Sequence, residues 1–300
     1  MTLALVATGL LTACWSGAGS ASAAASGPGE GPYYVALGDS YSIGYQPAPA
    51  PGATSGYTGP VAREADLQLV NFGCGGATTS SILRDKGCTP PFGPPASTGA
   101  VAYPNQTQAK AAESFIREHR GEIGLITVSI GGNDVTRCEE ERTSIDCFAS
   151  ALGALRSNVS TLAKGLRAAA GPHVPLIGLT YPDVLLGLWV HPPGRTDQIL
   201  ARVSVSAFRG FINPTLARAY SVAGATFVDI TADTGAYVPL SETVRLAPYG
   251  TVPVAVARVC QLTWYCAKGN IHANTAGYRV MASRIFATYV KLRRMGVGPG

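Results

Sequence analysis

Residues 123–130, Ile-Gly-Leu-Ile-Thr-Val-Ser-Ile, run without a charged side chain and without the polar–apolar alternation of a half-exposed strand. A strand of this composition is covered on both faces, which requires a sheet held between layers of helices. Other β-prone runs fall at 33–37, 67–72, 174–179 and 225–230. Between and after them lie stretches of helical composition at 57–66, 106–120, 145–170, 196–222 and 273–295. The longest carries Leu152, Leu155, Val159, Leu162 and Leu166 at spacings of three or four, one face of a helix. Strands separated by helices predict a parallel five-stranded α/β sheet with right-handed crossovers and helices on both faces. Ligands of such sheets bind at the carboxyl ends of the strands. No internal repeat and no second domain are visible. One domain is expected over 32–296, with 233–268 a long insertion and 86–105 a Pro/Gly-rich loop.

Charged residues are only 14% and apolar ones 46% of the chain, the balance of a globular protein. The net charge of +5 is dispersed, and its one basic cluster, Lys291-Leu292-Arg293-Arg294, lies where a helix end favours cations. Nucleic acid is therefore not an expected partner. No charge precedes Glu30, and residues 3–13 form an apolar run too short to span a bilayer, the pattern of an export signal. Leu11-Thr12-Ala13-Cys14 resembles a bacterial lipobox, which would acylate Cys14 and tether the chain to a membrane. Cleavage at the small residues 21–25 is the other exit. A Ser/Ala/Gly-rich linker then runs to about residue 31. Against this reading, the Lys or Arg that normally opens such a signal is missing.

Setting Cys14 aside leaves six of the seven cysteines, in three sequence-local pairs. Nearest-neighbour pairing (Cys74–Cys88, Cys138–Cys147, Cys260–Cys266) is the simplest of fifteen arrangements. None lies in a CxxC pair or beside a histidine at ligand spacing, which argues against a metal site. An oxidising, extracytoplasmic setting follows, either secreted or at the cell surface.

Four blocks carry chemistry. Leu37-Gly38-Asp39-Ser40 puts a serine hydroxyl just beyond the first strand. Asn71-Phe72-Gly73-Cys74-Gly75-Gly76 follows the second, and Ile130-Gly131-Gly132-Asn133-Asp134 the third. Gly269-Asn270-Ile271-His272 precedes the last helix. Taken singly, each is ordinary turn chemistry. Of the four histidines, His119 and His173 read as surface residues, and His191 stands between an apolar run and two prolines. Position favours His272 as a general base.

In that order the blocks resemble the SGNH (GDSL) hydrolase superfamily over about residues 33–289, and the cysteine pairs resemble those of its secreted actinobacterial lipases and esterases. The resemblance implies a flavodoxin-like three-layer α/β/α fold and a serine esterase with Ser40 as nucleophile and His272 as base. The Ser40 and Gly76 N–H groups and the Asn133 amide would form the oxyanion hole. Donors of that kind are worth about 2.7–4 kcal/mol each. Asp39 and Asp134 would hold backbone amides. Here the chain departs from the family pattern: Gly269 stands where most members have an Asp that orients the histidine. The Gly269 backbone carbonyl is the expected replacement, with Asp183 or Asp233 folding in as the rival.

Alcohol, imidazole and amides complete such chemistry unaided, so no cofactor is expected, and a monomer suffices. Lipid or other carboxylic esters are the expected substrates. Removal of acetyl groups from polysaccharide, or silent lipid binding, are the alternatives. The apolar run at 184–190 reads either as the wall of an acyl pocket or as the buried start of the next helix.

Overall fold

Five parallel strands, ordered β2-β1-β3-β4-β5, form the central sheet: β1 (Tyr33–Gly38), β2 (Gln68–Asn71), β3 (Ile123–Ser129), β4 (Leu176–Leu179) and β5 (Thr226–Val228). The computed structural model describes residues 31–47, 54–88, 97–140, 145–191 and 195–297. The proposed export signal, the lipobox with Cys14 and the linker before residue 31 lie outside those residues. Among the described residues, no helix is long and apolar enough to cross a membrane.

The helices are α1 (Thr58–Ala65), α2 (Ser81–Arg84), α3 (Gln108–Glu118), α4 (Gly132–Glu140) and α5 (Ile145–Ala170). After them come α6 (Arg195–Ala207), α7 (Asn213–Ser221), α8 (Ile230–Asp233), α9 (Val254–Leu262), α10 (Tyr265–Lys268) and α11 (Thr275–Arg294). Every residue of β3 is buried, as its uncharged sequence requires. Along β1 the side chains alternate between two cores: Val35 and Leu37 pack with α3, α5 and α7, and Tyr34 and Ala36 with α1 and α11. Leu155, Val159, Leu162 and Leu166 of α5 are fully buried in the first core. Each such side chain stabilises the fold by roughly 1.5–3 kcal/mol.

The sequence elements are recovered with several differences, among them the short helix α2 and an expected strand at 225–230 that ends at Val228, with α8 starting at Ile230. The helical stretch at 196–222 is two helices joined by a π turn, Phe208–Ile212. The apolar run at 184–190 forms its own 3-10 turn, Val184–Trp189, separate from α6. Helix α4 had no periodic signal, because Gly131-Gly132 reads as a breaker. The insertion at 233–268 carries an antiparallel hairpin of β6 (Thr243–Leu246) and β7 (Gly250–Pro253), followed by α9 and α10. All three nearest-neighbour disulfides are formed, with Cα separations of 5.6, 5.8 and 5.1 Å. Strand β1 pairs with both β2 and β3, so chains leaving β1 and β3 diverge to opposite faces above the sheet. That switch in direction opens a crevice at the carboxyl rim.

Candidate active site

Gly38 and Ser129 are register partners at the ends of β1 and β3, so both strands deliver their next residues at one level of the rim. Gly38 has φ of +139°, and a Cβ there would collide with the Ser129 carbonyl. Only glycine fits. Its backbone is then held by α3, whose Gln108 accepts from Gly38 N–H at 2.7 Å and donates to its carbonyl at 3.1 Å. Beyond it the chain turns tightly, with Ser42 and Ile43 N–H bonded to the Asp39 carbonyl and Tyr45 N–H to that of Ser40. Ser40 sits in this corner, 8% exposed, at the edge of a cavity.

From the far end of the chain, His272 arrives between α10 and α11. The Cys260–Cys266 bridge ties α9 to α10, and Trp264 N–H bonds the His272 carbonyl at 2.9 Å. Two residues later Asn274 caps α11, accepting from Ala276 and Gly277 N–H. The imidazole is thereby placed with Nε2 2.8 Å from Ser40 Oγ. The rings of Tyr45 and Tyr41 crowd it, at centroid distances of 4.4 and 5.7 Å. Burial lowers its pKa from 6.5 to about 4, so the ring is neutral at pH 7.

The contact that orients the ring differs from the sequence expectation. Nδ1 lies 2.8 Å from Asn270 Oδ1, not against the Gly269 carbonyl. The His272 backbone N–H donates to the same oxygen at 3.1 Å, an Asx turn over residues 270–272. A backbone N–H needs an acceptor, which fixes that atom as the amide oxygen. Nδ1 therefore carries the proton, and Nε2 is bare to accept from the Ser40 hydroxyl. Gly269 instead ends α10 with φ of +63° and packs against His191. The rival carboxylates are engaged elsewhere: Asp183 with Ser204, and Asp233 with Arg284. Among the described residues no carboxylate is bonded to His272. The sequence signal for this contact is an Asn two residues before the histidine, whereas the family pattern points to the third residue before it.

Asn133 begins α4, lines the same cavity as Ser40, and donates through Nδ2 to the Ala77 carbonyl at 2.8 Å. An amide NH2 has two hydrogens, so one remains for a ligand. The bond ties Asn133 to the turn carrying Gly76, which has φ of +76° and open space around it. Glycine is needed there for conformation rather than room. Gly76 itself lines a second, polar cavity of about 340 Å3. The two aspartates brace these corners. Asp134 accepts from Thr79 N–H and hydroxyl at 2.9 and 2.6 Å. Asp39 accepts from Tyr41 N–H at 3.0 Å and the Tyr181 hydroxyl at 2.6 Å, and its burial raises its pKa to about 7.

The cavity beside Ser40 holds about 480 Å3 and is almost wholly apolar. Val184, Leu185 and Leu188 of the 3-10 turn line it, together with Phe208, Ile212 and Leu216. The run at 184–190 is thus a pocket wall. Elsewhere, His119 pairs with Glu122 at 3.2 Å, and His173 and His191 are exposed and do not line the cavity. Among the described residues no cluster of His, Cys, Asp and Glu has the geometry of a metal site.

No curated protein matches the sequence. Solved structures that resemble it include a lipase, Lip_vut3, from a goat rumen metagenome, with 17% identity, TM-score 0.49, and coverage of 89% of this chain and 98% of that one. Another is phospholipase A1 from Streptomyces albidoflavus NA297, with 16% identity, TM-score 0.45, and coverage of 85% and 99%. The profile of the GDSL-like lipase/acylhydrolase family matches residues 36–280, a span that holds the serine, the oxyanion candidates and the histidine. With most of its length inside that match, the chain is a carboxylic ester hydrolase belonging to the GDSL-like lipase/acylhydrolase family.

Proposed function

We propose that the protein is an exported serine esterase or lipase that cleaves esters of apolar acyl chains through an acyl-Ser40 intermediate. The observation carrying this reading is the 2.8 Å Ser40–His272 bond at the edge of an apolar cavity. Neutral His272 takes the Ser40 proton at Nε2 as Oγ attacks the ester carbonyl. The charge that develops on the carbonyl oxygen is met by Ser40 N–H, Gly76 N–H and the second Asn133 N–H. His272 then protonates the leaving alkoxide, and water repeats the sequence in reverse to release the acid. Asn270 keeps the ring in the correct tautomer throughout, with a dipole where a full charge would hold the imidazolium more strongly.

Three disulfides support an oxidising compartment, consistent with export by the segment before residue 31. The acyl chain is assigned to the apolar cavity, where each methylene buried in the transition state adds about 0.8 kcal/mol, or roughly fourfold in kcat/KM. The test is a ladder of p-nitrophenyl esters from acetate upward, run beside Ser40→Ala. Rates should climb with chain length and vanish in the variant. Undiminished activity of Ser40→Ala would remove the nucleophile. A preference for acetate alone would favour polysaccharide deacetylation instead.

A further inference from the structure

Four of the seven large apolar side chains most exposed among the described residues fall within one short segment: Ile199 (53%), Leu200 (46%), Val203 (56%) and Phe211 (57%). They share the outer crest of α6 and the π turn that continues it. The inner face of the same helix is fixed to the body by buried Ala201 and by Ser204, which donates to Asp183 at 2.8 Å. Leu200 and Val203 also line the apolar cavity. Side chains that both line a cavity and stand half exposed mark its mouth, so the cavity opens onto the crest.

Two cations border the crest on one flank, and both are held by aromatic faces. The Arg202 guanidinium lies over the Trp189 ring at 4.6 Å, and Arg209 over Tyr237 at 4.4 Å. Asp197, on the other flank, is half-buried. An apolar ridge edged by arginines matches the cross-section of a lipid layer with anionic headgroups, apolar within and negative at its boundary. We propose that this ridge is the surface by which the enzyme rests on an anionic lipid layer, and that the ester passes from that layer directly into the cavity. The proposal rests on the reading of the cavity as the acyl site. It adds where the substrate comes from: a lipid in an aggregated phase rather than one dissolved in water.

The experiment uses the full chain with Cys14→Ser, which excludes an acyl tether. Flotation with phosphatidylcholine vesicles, with and without phosphatidylglycerol, reads docking. Hydrolysis of dissolved p-nitrophenyl acetate reads the catalytic centre independently of any layer. Ile199 and Phe211 are exposed and do not line the cavity; Phe211 meets Phe148 of its wall edge-on, at 6.5 Å between ring centroids, so unchanged acetate hydrolysis in Ile199→Ser with Phe211→Ser is the check that the wall is intact. That pair should cut vesicle binding and vesicle-borne ester hydrolysis by at least about tenfold. Arg202→Gln with Arg209→Gln should remove the preference for phosphatidylglycerol, which added salt should also weaken. Wild-type binding that is absent, or unchanged in the Ile199/Phe211 pair, overturns the proposal. So does a wild-type dimer that the same pair converts to monomer, since the ridge would then join two copies. Lost acetate hydrolysis in every protein, with flotation retained, would instead strike the esterase reading.

Discussion

At Nδ1 of His272 an uncharged amide oxygen performs the orienting task, and burial has left the ring with a pKa of about 4. Both facts bear on the pH profile. In the proposed mechanism the base must be neutral, so the acid limb of kcat/KM should fall near pH 4 rather than near the 6.5 of an unperturbed imidazole. Asn270→Asp places an anion at Nδ1 and favours the protonated ring. The acid limb should then move up, and kcat should rise because the imidazolium of the transition state gains a charged partner. Asn270→Ala removes both bonds that Oδ1 accepts, from Nδ1 and from the His272 backbone N–H; the loss of the ring contact, worth about 1 kcal/mol, lowers kcat about fivefold with little change in KM. Rate–pH profiles of the three proteins test the assignment together. An Asp variant whose limb stays put would show that residue 270 does not touch the ring in the working enzyme.

The turn carrying Gly76 is held at one end by Asn133 and at the other by the Cys74–Cys88 bridge. Opening that bridge with Cys74→Ser and Cys88→Ser frees a loop of 14 residues, a stability loss of about 3 kcal/mol in the chain-entropy account. Because the loop carries Gly76, the proposed oxyanion donor, kcat should fall as well, measured at a temperature where both proteins remain folded. A loss of stability with kcat unchanged would detach Gly76 from the chemistry. Elements whose sequence carries a period or a closed composition are legible in the sequence itself, α5 from its leucines and β3 from its uncharged run, whereas the Ser40 and His272 blocks stand out only through their order along the chain. Elements stabilised by what they pack against are not legible there. The 3-10 turn at Val184–Trp189 has no repeat of its own, since the cavity and α6 impose its shape. The π turn at Phe208–Ile212 hides inside a sequence that reads as continuous helix. Asn270 escaped for a different reason, because its contact is made by a side chain where a backbone carbonyl was expected.

Across the whole molecule, two buried groups on either side of the serine couple folding to pH in opposite senses. Asp39 is raised from 3.8 to about 7, chiefly by burial and further by Asp134, against the pull of its bonds from Tyr181 and Tyr41. Its protonated form therefore contributes stability that is fully present below pH 3.8 and lost as pH rises through about 7. His272 is lowered from 6.5 to about 4, and contributes stability present above 6.5 and lost as pH falls through about 4. Between these limits the two slopes oppose each other, which masks both in the wild-type profile. Asp39→Asn separates them. Asn keeps an oxygen for Tyr41 N–H and offers Tyr181 a donor, without ever carrying a buried charge. Relative to wild type, the variant should gain stability as pH rises from about 4 to 7, by up to about 1.4 kcal/mol per pH unit. Urea midpoints taken across that range measure the difference directly. Parallel curves for the two proteins would mean that Asp39 is ionised throughout, its two hydrogen bonds outweighing burial. The corner beneath Ser40 would then hold a fixed negative charge at every working pH.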